Sequence, residues 1–142
     1  MGDAFMWTDQ YSLGQSDIDR EHQALFRIAQ ELNEGVERGD AQEKLAGIFA
    51  RLVAYTRFHF SNEEELMRRS NYPDVAGHVA EHNRLTAKVA ALERQFEASD
   101  AMVTADTMEF LRRWLDHHIL GTDQKVARHL GKIGATPCAL PA

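Results

Sequence analysis

The chain has a single cysteine among its 142 residues, Cys138, in the run Pro137-Cys138-Ala139-Leu140-Pro141. One thiol cannot close an internal disulfide, so nothing in the sequence demands an oxidising compartment. No stretch approaches the roughly 18 unbroken apolar residues of a membrane-spanning helix. The N-terminus lacks the basic start and apolar run of a secretory signal. Lysine and arginine never cluster, and the formal net charge is -6, a poor balance for nucleic acid or an anionic membrane surface. Strand-like alternation, internal repeats, low-complexity runs and interdomain linkers are all missing. These absences leave one domain in the cytoplasm as the expectation. What remains is 44% hydrophobic and 27% charged, an ordinary composition for a domain with one core. The surplus is histidine, at seven residues.

Residues 1–16 show no periodicity and are read as an arm, with Phe5, Met6, Trp7, Tyr11 and Leu13 packing back on the body. Ser16 or Asp17 is placed to cap a first helix, which runs to Arg38 and stops at Gly39. Asp40 with Glu43 has the spacing of a capping box, opening a second helix that reaches about Ser70. Asn71-Tyr72-Pro73 breaks it, and Pro73 suits the first turn of a third helix, to about Ala98. Thr104 can cap a fourth, to Leu120 or Gly121, and a short last helix covers Asp123 to Leu130 and ends at Gly131. Apolar residues recur at alternating steps of three and four: Ile18, Leu25, Ala29, Leu32 and Val36, then Leu45, Ile48, Leu52 and Tyr55. The third helix carries Val75, Leu85, Val89, Leu92 and Phe96, and the fourth Met108, Leu111 and Leu115. Each helix therefore has one core-facing stripe. Short connections predict an all-α, antiparallel up-down four-helix bundle over residues 17–131, with residues 132–142 as a tail. Met67, Met102 and Met108 are expected to fill core.

Extended at the same rhythm, every stripe runs into histidine: His22, then His59 with Glu63, then His78 and His82, then His118. A buried polar group without a partner costs on the order of 1–3 kcal/mol, so these groups must satisfy one another. Metal ions do this directly, because imidazole nitrogen and carboxylate oxygen both become ligands. His59–Glu63 and His78–His82 are i, i+4 pairs on one helical face. In an up-down bundle all of them meet near one end. His117 is off the stripe and His129 is remote, so both are read as structural. Alone, His22 reads as a hydrogen-bonded core histidine and Glu63 as a solvated residue; the joint pattern outweighs these readings.

Five histidines exceed one four-coordinate site. Two metals fit better but need a second carboxylate beside Glu63, from Asp116 or Asp123. His118 to Asp123 is i+5, about 140° apart on an ideal α-helix. That requires a local distortion, a helix end or ligands approaching from opposite flanks, and Gly121 lies between them.

Five separated motifs follow one another along the chain: Trp7-Thr8-Asp9, Asp19-Arg20-Glu21-His22-Gln23-Ala24-Leu25-Phe26, His59-Phe60-Ser61-Asn62-Glu63-Glu64, Tyr72-Pro73 with His78 and His82, and Trp114-Leu115-Asp116-His117-His118-Ile119 with Asp123 following. In these motifs and their order, over residues 7 to about 126, the chain resembles the hemerythrins, specifically single-domain bacteriohemerythrins. The resemblance implies two iron ions bridged by Glu63, Asp123 and an oxo or hydroxo group. It assigns His22 and His59 to one iron and His78, His82 and His118 to the other. The two-histidine iron is then left with an open position. A tyrosine common in the family three residues after the bridging aspartate is Val126 here, a departure that bears on packing of the last helix.

Reversible O2 binding for storage, transfer or buffering is the function the resemblance implies. Phe26, Phe60, Trp114, Leu115 and Ile119 are candidates for an apolar wall around the bound gas, with ordinary core as their alternative role. O2 is the expected partner, with an electron donor that re-reduces the diferric form. A di-iron oxidase, peroxidase or nitric-oxide-handling enzyme is the second reading. It ranks lower because ferritin-like oxidases use E-x-x-H pairs, and no E-x-x-H occurs in this sequence. A stand-alone O2 or redox sensor acting through a partner protein is the third.

Overall fold

The computed structural model describes residues 5–99 and 101–132; Cys138 and nearly all of the expected tail lie outside them. Four long helices follow one another: α1 (Ser16–Arg38), α2 (Gln42–Arg69), α3 (Val75–Glu97) and α4 (Ala105–His117). A π-helical turn (His118–Asp123) joins α4 to α5 (Gln124–Lys132) without a break. There is no strand among the described residues, and the architecture is the expected four-helix bundle. Helix α1 packs against α2 and α4, and α2 against α3.

The turns follow from local chemistry. Gly39 adopts φ +74°, and the amides of Gly39 and Asp40 bond to the carbonyls of Val36 and Gly35. This left-handed closure favours glycine because a Cβ would strain it. Thr104 caps α4 as expected, its amide bonding to Thr107 Oγ1 at 3.2 Å. Three expected starts shift. Gln15, not Ser16 or Asp17, occupies the cap position of α1. Asp19 instead reaches back to the arm, accepting from the Leu13 amide and the Ser12 hydroxyl. Ala41, not Asp40, precedes α2, because the Asp40 carboxylate is drawn to Arg38 and Lys44. Pro73 lies in the turn before α3, whose cap position is Asp74.

The main core gathers Leu25, Ala29, Leu32, Phe49, Leu52, Val89, Phe96, Leu111 and Leu115 from all four helices. The arm closes over it. Phe5 is buried, while Trp7 and Tyr11 make a ring cluster with Phe26. Met6 departs from the expectation and is exposed, as is Met102; Met67 and Met108 are core. A second, smaller cluster of Ile18, Met67, Val126 and Leu130 seats α5 on the end of the bundle. Val126 is fully buried there, and His129 reinforces the seat by donating from Nε2 to the Ser70 carbonyl at 2.7 Å.

Candidate metal centre

His22, His59, Glu63, His78, His82, His118 and Asp123 converge between the main core and the α5 cluster, and none is more than 3% exposed. The i, i+4 pairs bring ligands from successive turns of α2 and α3 to one level. The π turn does the same for His118 and Asp123. Its hydrogen-bond step is i to i+5, so residues five apart stand one above the other. The α-helix gives way to π geometry over His118–Asp123, and the distortion allowed for in the sequence is what occurs. His117, by contrast, is exposed.

All five imidazoles aim Nε2 at the two central carboxylates. His22 Nε2 is 2.8 Å from Asp123 Oδ2, and His78 Nε2 is 2.8 Å from Glu63 Oε1 and 3.1 Å from Asp123 Oδ1. His82 Nε2 lies 3.0 Å from Glu63 Oε1, His118 Nε2 3.1 Å from Asp123 Oδ1 and His59 Nε2 3.7 Å from Glu63 Oε2. The donors fall into two groups. One is Glu63, His78, His82, His118 and Asp123; the other is His22, His59, Glu63 and Asp123. Within each, the donor atoms lie within 4.8 Å of one another, and the carboxylates belong to both.

Behind this cluster stand three carboxylates that sequence reasoning did not single out. His59 Nδ1 is 2.7 Å from Glu21 Oε1, His82 Nδ1 2.8 Å from Glu64 Oε2 and His118 Nδ1 2.7 Å from Glu81 Oε2. Each of the first three helices thus anchors a histidine of the next element: α1 to α2, α2 to α3, and α3 to the π turn that follows α4. Asn62 and Thr122 in turn donate to Glu21 and Glu81. The signal was present as a glutamate directly beside a residue of the cluster: Glu21 before His22, Glu64 after Glu63, Glu81 before His82. One residue is about 100° around a helix, which turns such a side chain from the core toward the adjacent helix.

Without metal the cluster is a proton trap. Burial opposes charge on His59, His78 and His118, but the carboxylates around them outweigh it and raise them to about 9, 9 and 10. Burial likewise opposes charge on Asp123, yet His118, His22 and His59 hold it well below the ordinary carboxylate range. The His118 bond holds Glu81 at about 2.

Ten buried side-chain N and O atoms lack a hydrogen-bond partner among the described residues, and seven belong to these seven residues, one atom each. Each such atom costs roughly 1–3 kcal/mol in an ordinary core. Five of them, Nε2 of His59, His82 and His118 with Glu63 Oε2 and Asp123 Oδ1, face the centre and fit a site built for metal ions, whose oxygen and nitrogen ligands satisfy such atoms directly; at His22 and His78 the unpaired atom is the other ring nitrogen, Nδ1. A hard-to-intermediate donor set of imidazole and carboxylate suits iron, with no thiolate to select otherwise.

Phe60 stacks on His82 with centroids 3.7 Å apart and lies 5.3 Å from His118 and 6.2 Å from Trp114. Leu115 and Ile119 are buried beside them, while Phe26 packs against Trp7 and Tyr11.

The sequence model of the hemerythrin HHE cation binding domain matches residues 13–130. A bacteriohemerythrin of Methylococcus capsulatus is 35% identical over 75% of this chain and 80% of its own. A myohemerythrin of Riftia pachyptila is 32% identical over 89% of this chain and 93% of its own. A crystal structure of wild-type hemerythrin superposes with a TM-score of 0.83 at 30% identity, covering 88% of this chain and 96% of that one.

Proposed function

The chain belongs to the hemerythrin family, and we propose that it holds two iron ions at this centre and binds O2 there reversibly. The observation that carries the proposal is the pair of donor groups sharing Glu63 and Asp123. His22 and His59 would hold one ion, and His78, His82 and His118 the other. Glu63 and Asp123, common to both donor groups, would serve both. With two histidines against three, the ion at His22 and His59 would have one protein ligand fewer than its neighbour.

A ferrous pair supplies the two electrons that reversible capture of O2 draws on. The protein's part is positioning and exclusion. Glu21, Glu64 and Glu81 accept the Nδ1–H of their histidines, which fixes the tautomer that presents Nε2 as a ligand. Phe60, Trp114, Leu115 and Ile119 form an apolar wall that keeps water and protons away, so that bound gas leaves as O2. Histidine-dominated ligation and the absence of E-x-x-H favour binding over oxidase chemistry. A reductant that restores an autoxidised centre to the ferrous state belongs to the same reading. Among the described residues no helix is long and apolar enough to cross a membrane.

The test is anaerobic reconstitution with Fe(II), with optical spectra before O2, after O2 and after its removal. Two irons per chain and a visible charge-transfer band that comes and goes with O2 are expected. Immediate, irreversible conversion to the ferric form would move the reading to oxidase or redox-sensing chemistry.

A further inference from the structure

A centre with every donor buried raises the question of how a hydrated cation reaches it. The main apolar core closes one side, and the α5 cluster of Ile18, Met67, Val126 and Leu130 closes the end. Between α1 and α2 the wall is different. A cleft of about 450 Å3 opens there, with Asp17, Glu21 and Glu65 on its walls and Glu63 among its lining residues. At roughly 30 Å3 per water molecule, that space accommodates a cation with its hydration shell.

We propose that this cleft is the loading route for divalent cations, with Asp17 and Glu65 gathering them and the Glu21–Asn62 contact acting as its door. The proposal rests on the metal-centre reading above. Glu63 is 2% exposed. Its Oε1 is 2.8 Å from His78 Nε2, while its Oε2 has no hydrogen-bond partner. The cleft therefore reaches a buried carboxylate, one oxygen of which makes no hydrogen bond and lies 3.7 Å from His59 Nε2. One step outward, Glu21 spans both environments: Oε1 holds His59 Nδ1 at 2.7 Å and Oε2 accepts from Asn62 Nδ2 at 2.9 Å. Asn62 is exposed, so releasing this one hydrogen bond opens the space between the helices without disturbing the core.

At the mouth, Asp17 pairs with Arg20 and Glu65 with Arg69. Both arginines are exposed, and pairs of this kind contribute only about 0–1 kcal/mol, so the guanidinium groups swing away at little cost. The cleft then presents an inward series of carboxylates, Asp17 and Glu65, Glu21, then Glu63. Such a series attracts a divalent cation and lets it exchange water for oxygen stepwise.

The experiment is the rate of anaerobic Fe(II) uptake by the metal-free full chain at low ionic strength, with unbound Fe(II) trapped at timed intervals by a chromogenic chelator. The Asp17→Asn/Glu65→Gln double variant should load about 10-fold more slowly, reach the same final iron content and lose its deficit as salt is added. Asn62→Ala should load faster and release iron faster to excess chelator. Asp106→Asn/Glu109→Gln, an equal loss of two charges on exposed positions of α4, should load like the parent. A cleft variant that loads within about twofold of the parent, or an Asp106→Asn/Glu109→Gln chain equally slowed, overturns the route. A parent chain that loads but shows no O2-dependent band would sink the function above and leave the route standing. A parent chain that takes up no iron would sink both.

Discussion

Nδ1 of His118 lies 2.7 Å from Oε2 of Glu81, a residue off the inward stripe of α3 and adjacent in sequence to a different histidine, His82. The bond ties α3 to α4 at the level of the centre, and Thr122 holds the other oxygen of Glu81 at 3.0 Å. Removing a carboxylate behind a metal-binding histidine commonly lowers affinity about 10- to 100-fold. Glu81→Ala is expected to fall in that range, measured by chelator competition against the parent. Glu81→Gln keeps a hydrogen-bond acceptor and should fall less. Equal affinity in all three chains would remove Glu81 from the positioning role.

The choice between adjacent histidines gives a sharp contrast. His118 is 2% exposed and faces Asp123, whereas His117 is exposed on the outer face of the bundle. His117→Ala should keep full iron content, and His118→Ala should lose it in part or whole. Metal analysis after gel filtration decides this. An iron-replete His118→Ala chain would overturn the assignment.

Protonation makes the metal-free and loaded forms respond oppositely to pH. In the metal-free chain His59, His78 and His118 are raised from 6.5 to about 9, 9 and 10. A raised histidine contributes stability that is complete below its unfolded value and is lost as pH rises through the folded one. The metal-free melting temperature should therefore fall from pH 6.5 toward 10. Below that window, Glu63, Glu81 and Asp123, all lowered, lose their contribution as acid protonates them. The loaded chain holds these histidines neutral, and metal competes better with fewer protons, so its melting temperature should rise from pH 6 to 8. Parallel thermal melts with and without iron test the opposite slopes.

Loading at neutral pH must also expel protons, because those three histidines begin protonated and end as ligands. About three protons per chain are expected, read with a pH indicator in weakly buffered solution. Release of none would mean the histidines were neutral before metal arrived.

Leu115 is 2% exposed and one helical turn before His118. If it shields bound O2 from water, Leu115→Ala should speed autoxidation several-fold. It should also cost about 2–5 kcal/mol of stability as a core truncation. Loss of stability with an unchanged autoxidation rate would make Leu115 ordinary core.

Most of the bundle was legible because an apolar stripe at steps of three and four has few stable solutions, and short connections leave fewer still. The centre was legible for the same reason in reverse. Histidine and glutamate at stripe positions violate the burial rule, and His22, His59, Glu63, His78, His82 and His118 stood out jointly on that ground, where His22 or Glu63 alone would not. Helix starts were less so: Asp40 had capping-box spacing, but Arg38 and Lys44 claimed its carboxylate. Met6 and Met102 had the composition of core and are exposed, since flexible apolar side chains at chain edges carry no period to place them.

Asp123 was assigned through the resemblance, but its alignment with His118, like the three outer glutamates, needed the fold. On an α-helix His118 and Asp123 diverge, and only the π turn, held between α4 and the buried Val126 and Leu130 of α5, lines them up. Glu21, Glu64 and Glu81 look like solvated charges in sequence because their partners lie on other helices. The sequence by itself determined which residues had to be buried, through periodicity. Which buried atoms face one another across helices was decided by tertiary packing, because that depends on helix rotation and level, and no local pattern encodes them.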